Sequence, residues 1–198
     1  QWCILNGETK TGVTIMQMDK GVDTGDILYT RTMDIDSKET GEGLFDKLSA
    51  LGAEAICEAL PLLEQGKLKA LPQDESEATH VGMLKKEMGE IDWTKSACEI
   101  ERLIRGLNSW PSAYTYINGK SLKIWDSDVI KDNVDNSMSV QKGTEAGTII
   151  DKDKKSIYVA CGEDILKINS LQLEGKKRMD TASFLLGYNV EIGEKLGR

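Results

Sequence analysis

The side chains best equipped for chemistry lie close together near the start of the chain. Residues 19–26, DKGVDTGD, bring Asp19, Asp23 and Asp26 together with Gly21 and Gly25. Carboxylates are groups that manage protons. These three cannot all be buried, because crowded like charges oppose ionisation. The two glycines let the backbone take angles other residues resist, and so pass close to a ligand. Runs of β-like residues flank the loop, at 13–18 (VTIMQM) and 27–32 (ILYTRT). A carboxylate-rich loop between two strands is either a solvated turn, which favours these residue types in any case, or a site.

A second cluster has the opposite charge. Gly175-Lys176-Lys177-Arg178-Met179 puts three basic residues in a row, as a solubilising turn or as a binding surface. The net charge is −8. Basic surface normally supplies affinity for nucleic acid, so any such contact must come from a local patch. The four cysteines, Cys3, Cys57, Cys98 and Cys161, form neither a metal knuckle nor a CxxC pair. Cys57 and Cys98 lie among apolar residues at helical spacing and are expected to be buried. The single histidine, His80, sits in a polar stretch and reads as a surface residue. No metal is expected, and the cysteine usage suits a reduced cytosol.

Stepping outward, 198 residues suffice for one large domain or two small ones. No apolar run approaches the roughly 20 residues a membrane helix requires, and no secretory signal opens the sequence. The first residue is Gln1, and apolar Trp2, Ile4 and Leu5 follow at once, which reads as a truncation. Residues 2–5 look like a helix tail stopped by Asn6-Gly7. A helix is expected from Thr40 to about Gly66, with Phe45, Leu48, Gly52, Ile56, Ala59 and Leu63 on its apolar face and a bend at Pro61. Residues 71–90 are polar, carry Pro72 and read as a linker. Ser96 and Glu99 form a capping-box pattern ahead of a helix striped by Ile100, Leu103, Ile104 and Leu107. Trp110 reads as a core anchor in preference to a ligand contact.

From Ala113 the period becomes two. Strands are expected at 113–117 and 121–125 around the turn Asn118-Gly119, then at 147–150, 156–160 and 165–173. Residues 126–144 read as polar and mobile. Residues 181–186 read as a short helix capped by Asp180.

Four stretches carry a family resemblance. MQMDKGVDTGDIL resembles the end of the catalytic domain of methionyl-tRNA formyltransferases, and QWCILNGETKTGVTIMQMD extends the match upstream. LPQDESEATHVGMLKKEMGEIDW, IRGLNSWPSAY and LQLEGKKRM resemble that family's linker and second domain. The resemblance spans essentially the whole chain, in order. It implies an α+β chain: residues 1–73 as the C-terminal part of an α/β nucleotide-fold catalytic domain, 74–90 as a linker, and 91–198 as an open oligonucleotide-binding-like β-barrel that binds tRNA. The family's catalytic Asn and His would lie upstream of Gln1.

The resemblance also implies the chemistry. A formyl group passes from 10-formyltetrahydrofolate to the amino group of methionine on initiator tRNA. The Asn donates to the carbonyl oxygen as charge develops there, and the His and an Asp manage the proton. That Asp corresponds to Asp23; Asp19 and Asp26 are weaker candidates. Met18, Asp19, Gly21, Val22, Thr24 and Gly25 would line the pterin end of the folate. Lys176, Lys177 and Arg178, extended by Lys85 and Lys86, would hold tRNA phosphates. The setting implied is a cytoplasmic monomer without a metal or a membrane partner. With one catalytic group of three, the chain alone is expected to be inactive. Two other readings compete: a formyltransferase acting on an amino sugar nucleotide, and a non-catalytic RNA-binding module. GKKRM and NSWP favour the tRNA enzyme, and the binding module leaves the first 70 residues unexplained.

Overall fold

The structure is a computed structural model that describes residues 1–132 and 140–198. The chain divides into two units, Gln1–Met83 and Leu84–Arg198. Among the described residues, no helix is long and apolar enough to cross a membrane.

The first unit opens with a short helix α1 (Trp2–Asn6), ended by Gly7 in the left-handed region. Strands β1 (Lys10–Met16) and β2 (Ile27–Asp34) follow, rich in β-branched residues, and pair antiparallel. Their register shifts between Ile15 and Met16. β1 therefore stops two residues short of the expected strand end, and Gln17 and Met18 belong to the loop. Helix α2 (Gly41–Glu64) is capped by Thr40, whose side chain accepts from the Gly43 amide. Pro61 falls in its last turn.

The buried face of α2 shares Ala59 with the expected one and otherwise differs from it. Leu44, Ala55 and Ala59 are buried, whereas Phe45 is 73% exposed and Ile56 and Leu63 are also exposed. α2 carries two apolar rows, and β1 and β2 take the one containing small residues. A Cβ on Gly52 would lie only 3.7 Å from the Val13 side chain, so the helix crosses close to the strand there. Cys57 follows the outer row and is exposed, not buried.

The second unit is a six-stranded sheet in the order β3-β4-β7-β6-β5, with β8 on β7. Its strands are β3 (Ala113–Ile117), β4 (Lys120–Ile130), β5 (Ile149–Lys152), β6 (Ile157–Ala160), β7 (Ile165–Leu173) and β8 (Met179–Asp180). Positive φ at Asn118 and Gly119 makes the tight turn that the sequence signals. β4 continues through residues 126–130, part of the stretch expected to be a mobile loop, because these residues pair with β7. Residues 133–139 of that stretch lie outside the described residues.

Helix α3 (Ala97–Gly106) has the full reciprocal cap between Ser96 and Glu99, and it buries Ile100 and Ile104 against the sheet. Helix α4 (Thr181–Gly187) starts at Asp180, which accepts from the Ser183 amide. Trp93 lies in the core and donates its indole N–H to Thr115 Oγ1 at 3.0 Å, a buried polar pair that satisfies both groups. Trp110 is 59% exposed and so is not a core anchor. The C-terminal segment bonds to both edge strands. Ile149 donates to Glu194, Leu196 to Gly147 and Gly197 to Tyr116.

β1 has one strand neighbour, while β6 lies between β5 and β7. Strands paired on one edge open more readily than strands paired on both. Amides of residues 13–16 should exchange with solvent faster than those of residues 157–160. Equal or reversed rates in a hydrogen-exchange experiment would contradict this.

Candidate functional site

The loop between β1 and β2 is closed at its base by the Gln17 amide, which donates to the Asp26 carbonyl at 2.9 Å. Gly25 fits there for lack of a side chain. A Cβ on it would stand 1.7 Å from the Gln17 carbonyl oxygen, and no local adjustment would clear that. The three carboxylates have different situations. Asp19 folds inward across the loop: its Oδ1 accepts from the Gly21 amide at 2.9 Å and from the Thr24 hydroxyl at 2.7 Å. The Thr24 hydroxyl first, and then the Gly21 amide, hold the Asp19 carboxyl below its ordinary value. Asp23 takes the left-handed region at φ 58° and is exposed. Among the described residues its carboxylate accepts no hydrogen bond, and Asp26 stands half-buried beside Gly25. Asp19 is thus committed to shaping the loop, while Asp23 is presented outward.

Met18 and Val22, 82% and 87% exposed, supply apolar surface on either side of this acidic stretch. Gly21, Thr24 and Gly25 complete the loop, so all six residues expected at the folate end lie on one element together with Asp23. A further residue was not foreseen. The Gln73 side-chain amide donates to the Asp23 carbonyl at 2.8 Å and to the Gly25 carbonyl at 2.7 Å. Leu71, two residues earlier, exchanges both backbone hydrogen bonds with Ile27 at the start of β2. Part of the polar stretch read as a linker therefore lies against the loop. The one available sequence signal is Pro72, which biases Leu71 toward the extended conformation that this pairing needs.

The basic cluster lies in the second unit, on the turn after β7. Gly175 takes φ 73°, and the Lys176 amide closes the turn on the Leu173 carbonyl. Lys176, Lys177 and Arg178 are all exposed. Arg178 lies over the Trp125 ring at 5.0 Å and donates from Nε to Ser170 Oγ at 3.4 Å. Lys123 Nζ stands 5.6 Å from the same ring, and Trp125 donates from Nε1 to Gln172. Lys123 and Trp125 are additions to the expected set. Alternation along β4, which turns residues 123 and 125 to one face, is the signal that could have marked them. Lys85 and Lys86 stand on a different element, at the start of a 3-10 turn (Lys86–Gly89) that leads to the backbone pairing of Ile91 with Tyr114 on β3.

Burial pushes the Cys161 thiol up to about 12, so it supplies no thiolate nucleophile near neutrality. Among the described residues no three His, Cys, Asp or Glu side chains are grouped to hold a metal ion.

The family description "Formyl transferase" matches residues 1–60, and "Formyl transferase, C-terminal domain" matches residues 83–189. The chain belongs to the formyl transferase family. It is 50% identical over all its 198 residues to the methionyl-tRNA formyltransferase of Lachnospira eligens, and 50% identical over 193 residues to that of Agathobacter rectalis. It spans 62% and 60% of the length of these two curated relatives. Among solved structures, HypX from Aquifex aeolicus in complex with tetrahydrofolic acid is similar in fold. The TM-score is 0.61 at 19% identity, over 94% of this chain and 31% of that one.

The Asp19 contacts make a checkable point about the loop. Thr24→Ala removes the larger cause of the lowered Asp19 carboxyl, so its titration should move up toward the ordinary carboxylate value. A depressed folded value stabilises the loop above the ordinary Asp range and loses that effect as pH falls through the folded value. The pH range over which this stabilisation is lost should therefore narrow in Thr24→Ala and end at higher pH. NMR titration of the Asp19 side chain, unchanged by the substitution, would refute the assignment.

Proposed function

We propose that the protein transfers a formyl group from 10-formyltetrahydrofolate to the amino group of methionine esterified to initiator tRNA. The observation that carries this reading is the identity of half the residues, across the entire chain, with relatives named for that activity. The loop supports it. Met18 and Val22 offer exposed apolar surface suited to a flat pterin, and the backbone at Gly21 and Gly25 allows close approach. The folate-bound structure of similar fold supports a folate-derived donor.

In this reading Asp23 is the proton-managing carboxylate, because Asp19 is spent on the loop itself. The attacking amine must be neutral, and a free α-amine titrates at about 7.7–8.0, so modest help from a carboxylate network suffices. The oxyanion-stabilising Asn and the His that this reading requires would come from the part of the family's length that this chain does not span. The chain's one histidine, His80, is exposed in the polar stretch and has no bond to the loop.

In the second unit, the bonds of the C-terminal segment to both edge strands support an open oligonucleotide-binding-like barrel. Lys176, Lys177 and Arg178, with Lys85 and Lys86, would touch tRNA phosphates, which position the RNA without reading its sequence. The protein would act as a cytoplasmic monomer.

Two measurements test the proposal. The 198-residue chain should transfer formyl groups at background rate only, whereas a longer protein in which it is joined to the rest of the family's length should be active on methionyl-tRNA and not on an amino sugar nucleotide. In that longer protein Asp23→Asn should slow transfer by roughly 10²–10⁴-fold, as expected for a proton-transfer group; a loss below about threefold would show that another carboxylate does the work. For RNA, the three contacts of Lys176, Lys177 and Arg178 should contribute about −2 to the log–log salt slope, from about −0.7 per contact with a single-stranded end. Replacing Lys176, Lys177 and Arg178 with Ala should flatten it. Replacing Lys152, Lys154 and Lys155, which alternate with Asp151 and Asp153, should change it little. Equal losses from both triples would assign the contact to general charge.

A further inference from the structure

Gln73 is exposed and contributes nothing to a core, yet its one amide group reaches two carbonyls 48 and 50 residues away in sequence. Both lie in the three-residue segment that contains the left-handed Asp23 and the sterically obligate Gly25. With the carbonyls of residues 23 and 25 turned toward the amide, the intervening peptides are held in one orientation. The paired backbone bonds between Leu71 and Ile27 fix the segment from which Gln73 extends.

We propose that Gln73 is a positioning residue for the reaction. Its amide clamps the backbone of residues 23–25 and thereby aims the Asp23 carboxylate. This rests on the reading of Asp23 as the proton-managing group. An amide suits the task because both carbonyls are acceptors and its two N–H bonds can serve one each. A carboxylate of the same shape would meet both oxygens with lone pairs until it is protonated. The clamp also ties the loop to the segment that follows α2, so the loop's conformation depends on how residues 71–73 are held.

Misplacement of a reacting group by about 1 Å can cost on the order of 10²-fold in rate. In the longer protein in which this chain is joined to the rest of the family's length, Gln73→Ala should therefore lower kcat by roughly 10–100-fold with KM for methionyl-tRNA little changed. Gln73→Glu should be equally slow at high pH. As pH falls its rate relative to wild type should recover, because the protonated carboxyl again donates one hydrogen bond to a loop carbonyl. A residue that served only stability would lower the unfolding temperature without such a pH-dependent recovery.

In the 198-residue chain, Gln73→Ala should speed exchange of the Gln17 amide, whose hydrogen bond ends on Asp26 beside Gly25, about tenfold. The amides inside β1 and β2 should keep their rates. Wild-type kcat together with unchanged Gln17 exchange in Gln73→Ala would overturn the proposal. The Asp23 reading has its own arm. If Asp23→Asn keeps the wild-type rate while Gln73→Ala is slow and its Gln17 exchange is fast, the clamp stands and the group it aims is a different one.

Discussion

A strand inside a sheet must satisfy backbone donors and acceptors along both edges, and β7 is where this requirement organises the second unit. One edge pairs with β4 over nearly its full length, and the other with β6 and then β8. Its core-facing residues Leu166, Ile168 and Leu171 are completely buried, and both α3 and α4 pack against it. Removing such a strand would expose apolar surface and orphaned backbone groups at once, so its position is the least negotiable in the unit. The basic turn follows directly from its end. Lys176, Lys177 and Arg178 therefore project from a rigid base, with Arg178 further fixed over Trp125.

The first unit meets the same requirement with fewer means. Two strands and one long helix make a thin layer, and among the described residues β2 gains a second neighbour only where Leu71 pairs with Ile27. An exposed polar link joins strand to helix: Glu58 accepts from Tyr29 at 2.6 Å and from Arg31 at 2.6 Å. The Arg31 guanidinium, ahead of Tyr29, holds the Glu58 carboxyl below its ordinary value. Solvent screening limits what such a link adds to stability. The loop that presents Asp23 is accordingly held by a handful of specific bonds from Asp19, Gln17 and Gln73, and packing contributes little. Loops built this way can be exact in geometry and still move, which suits the ligand-binding role proposed for this one.

The capped helix α3, the Asn118-Gly119 turn and the alternating strands were legible because each depends on residues within a few positions of one another. The reciprocal bonds of Ser96 and Glu99, and the left-handed angles at residues 118 and 119, follow from local stereochemistry that any context would reproduce. The loop at residues 19–26 was legible for the same reason, as was its likeness to a family motif. Errors arose where a choice depended on distant surfaces. α2 offers two apolar rows, and only contact with Val13 and its strand decides that the row of Ala55 and Ala59 turns inward. Trp110 is large and apolar, but nothing local says whether another element covers it. Residues 126–130 are polar in composition and became strand because β7 supplied a partner.

The sequence by itself determined the elements, the turn chemistry, the charge clusters and the family, since these reside in short-range spacing and residue type. Tertiary structure alone decided which carboxylate is free. Asp19, Asp23 and Asp26 are chemically alike in the sequence, and the fold separates them by giving Asp19 two internal donors and turning Asp23 outward. It also decided that Gln73, from a polar stretch with no pattern, closes on residues 23 and 25. Hydrogen bonds that join positions some fifty residues apart leave no periodic trace in a single sequence, because their geometry exists only once the strands between them have paired.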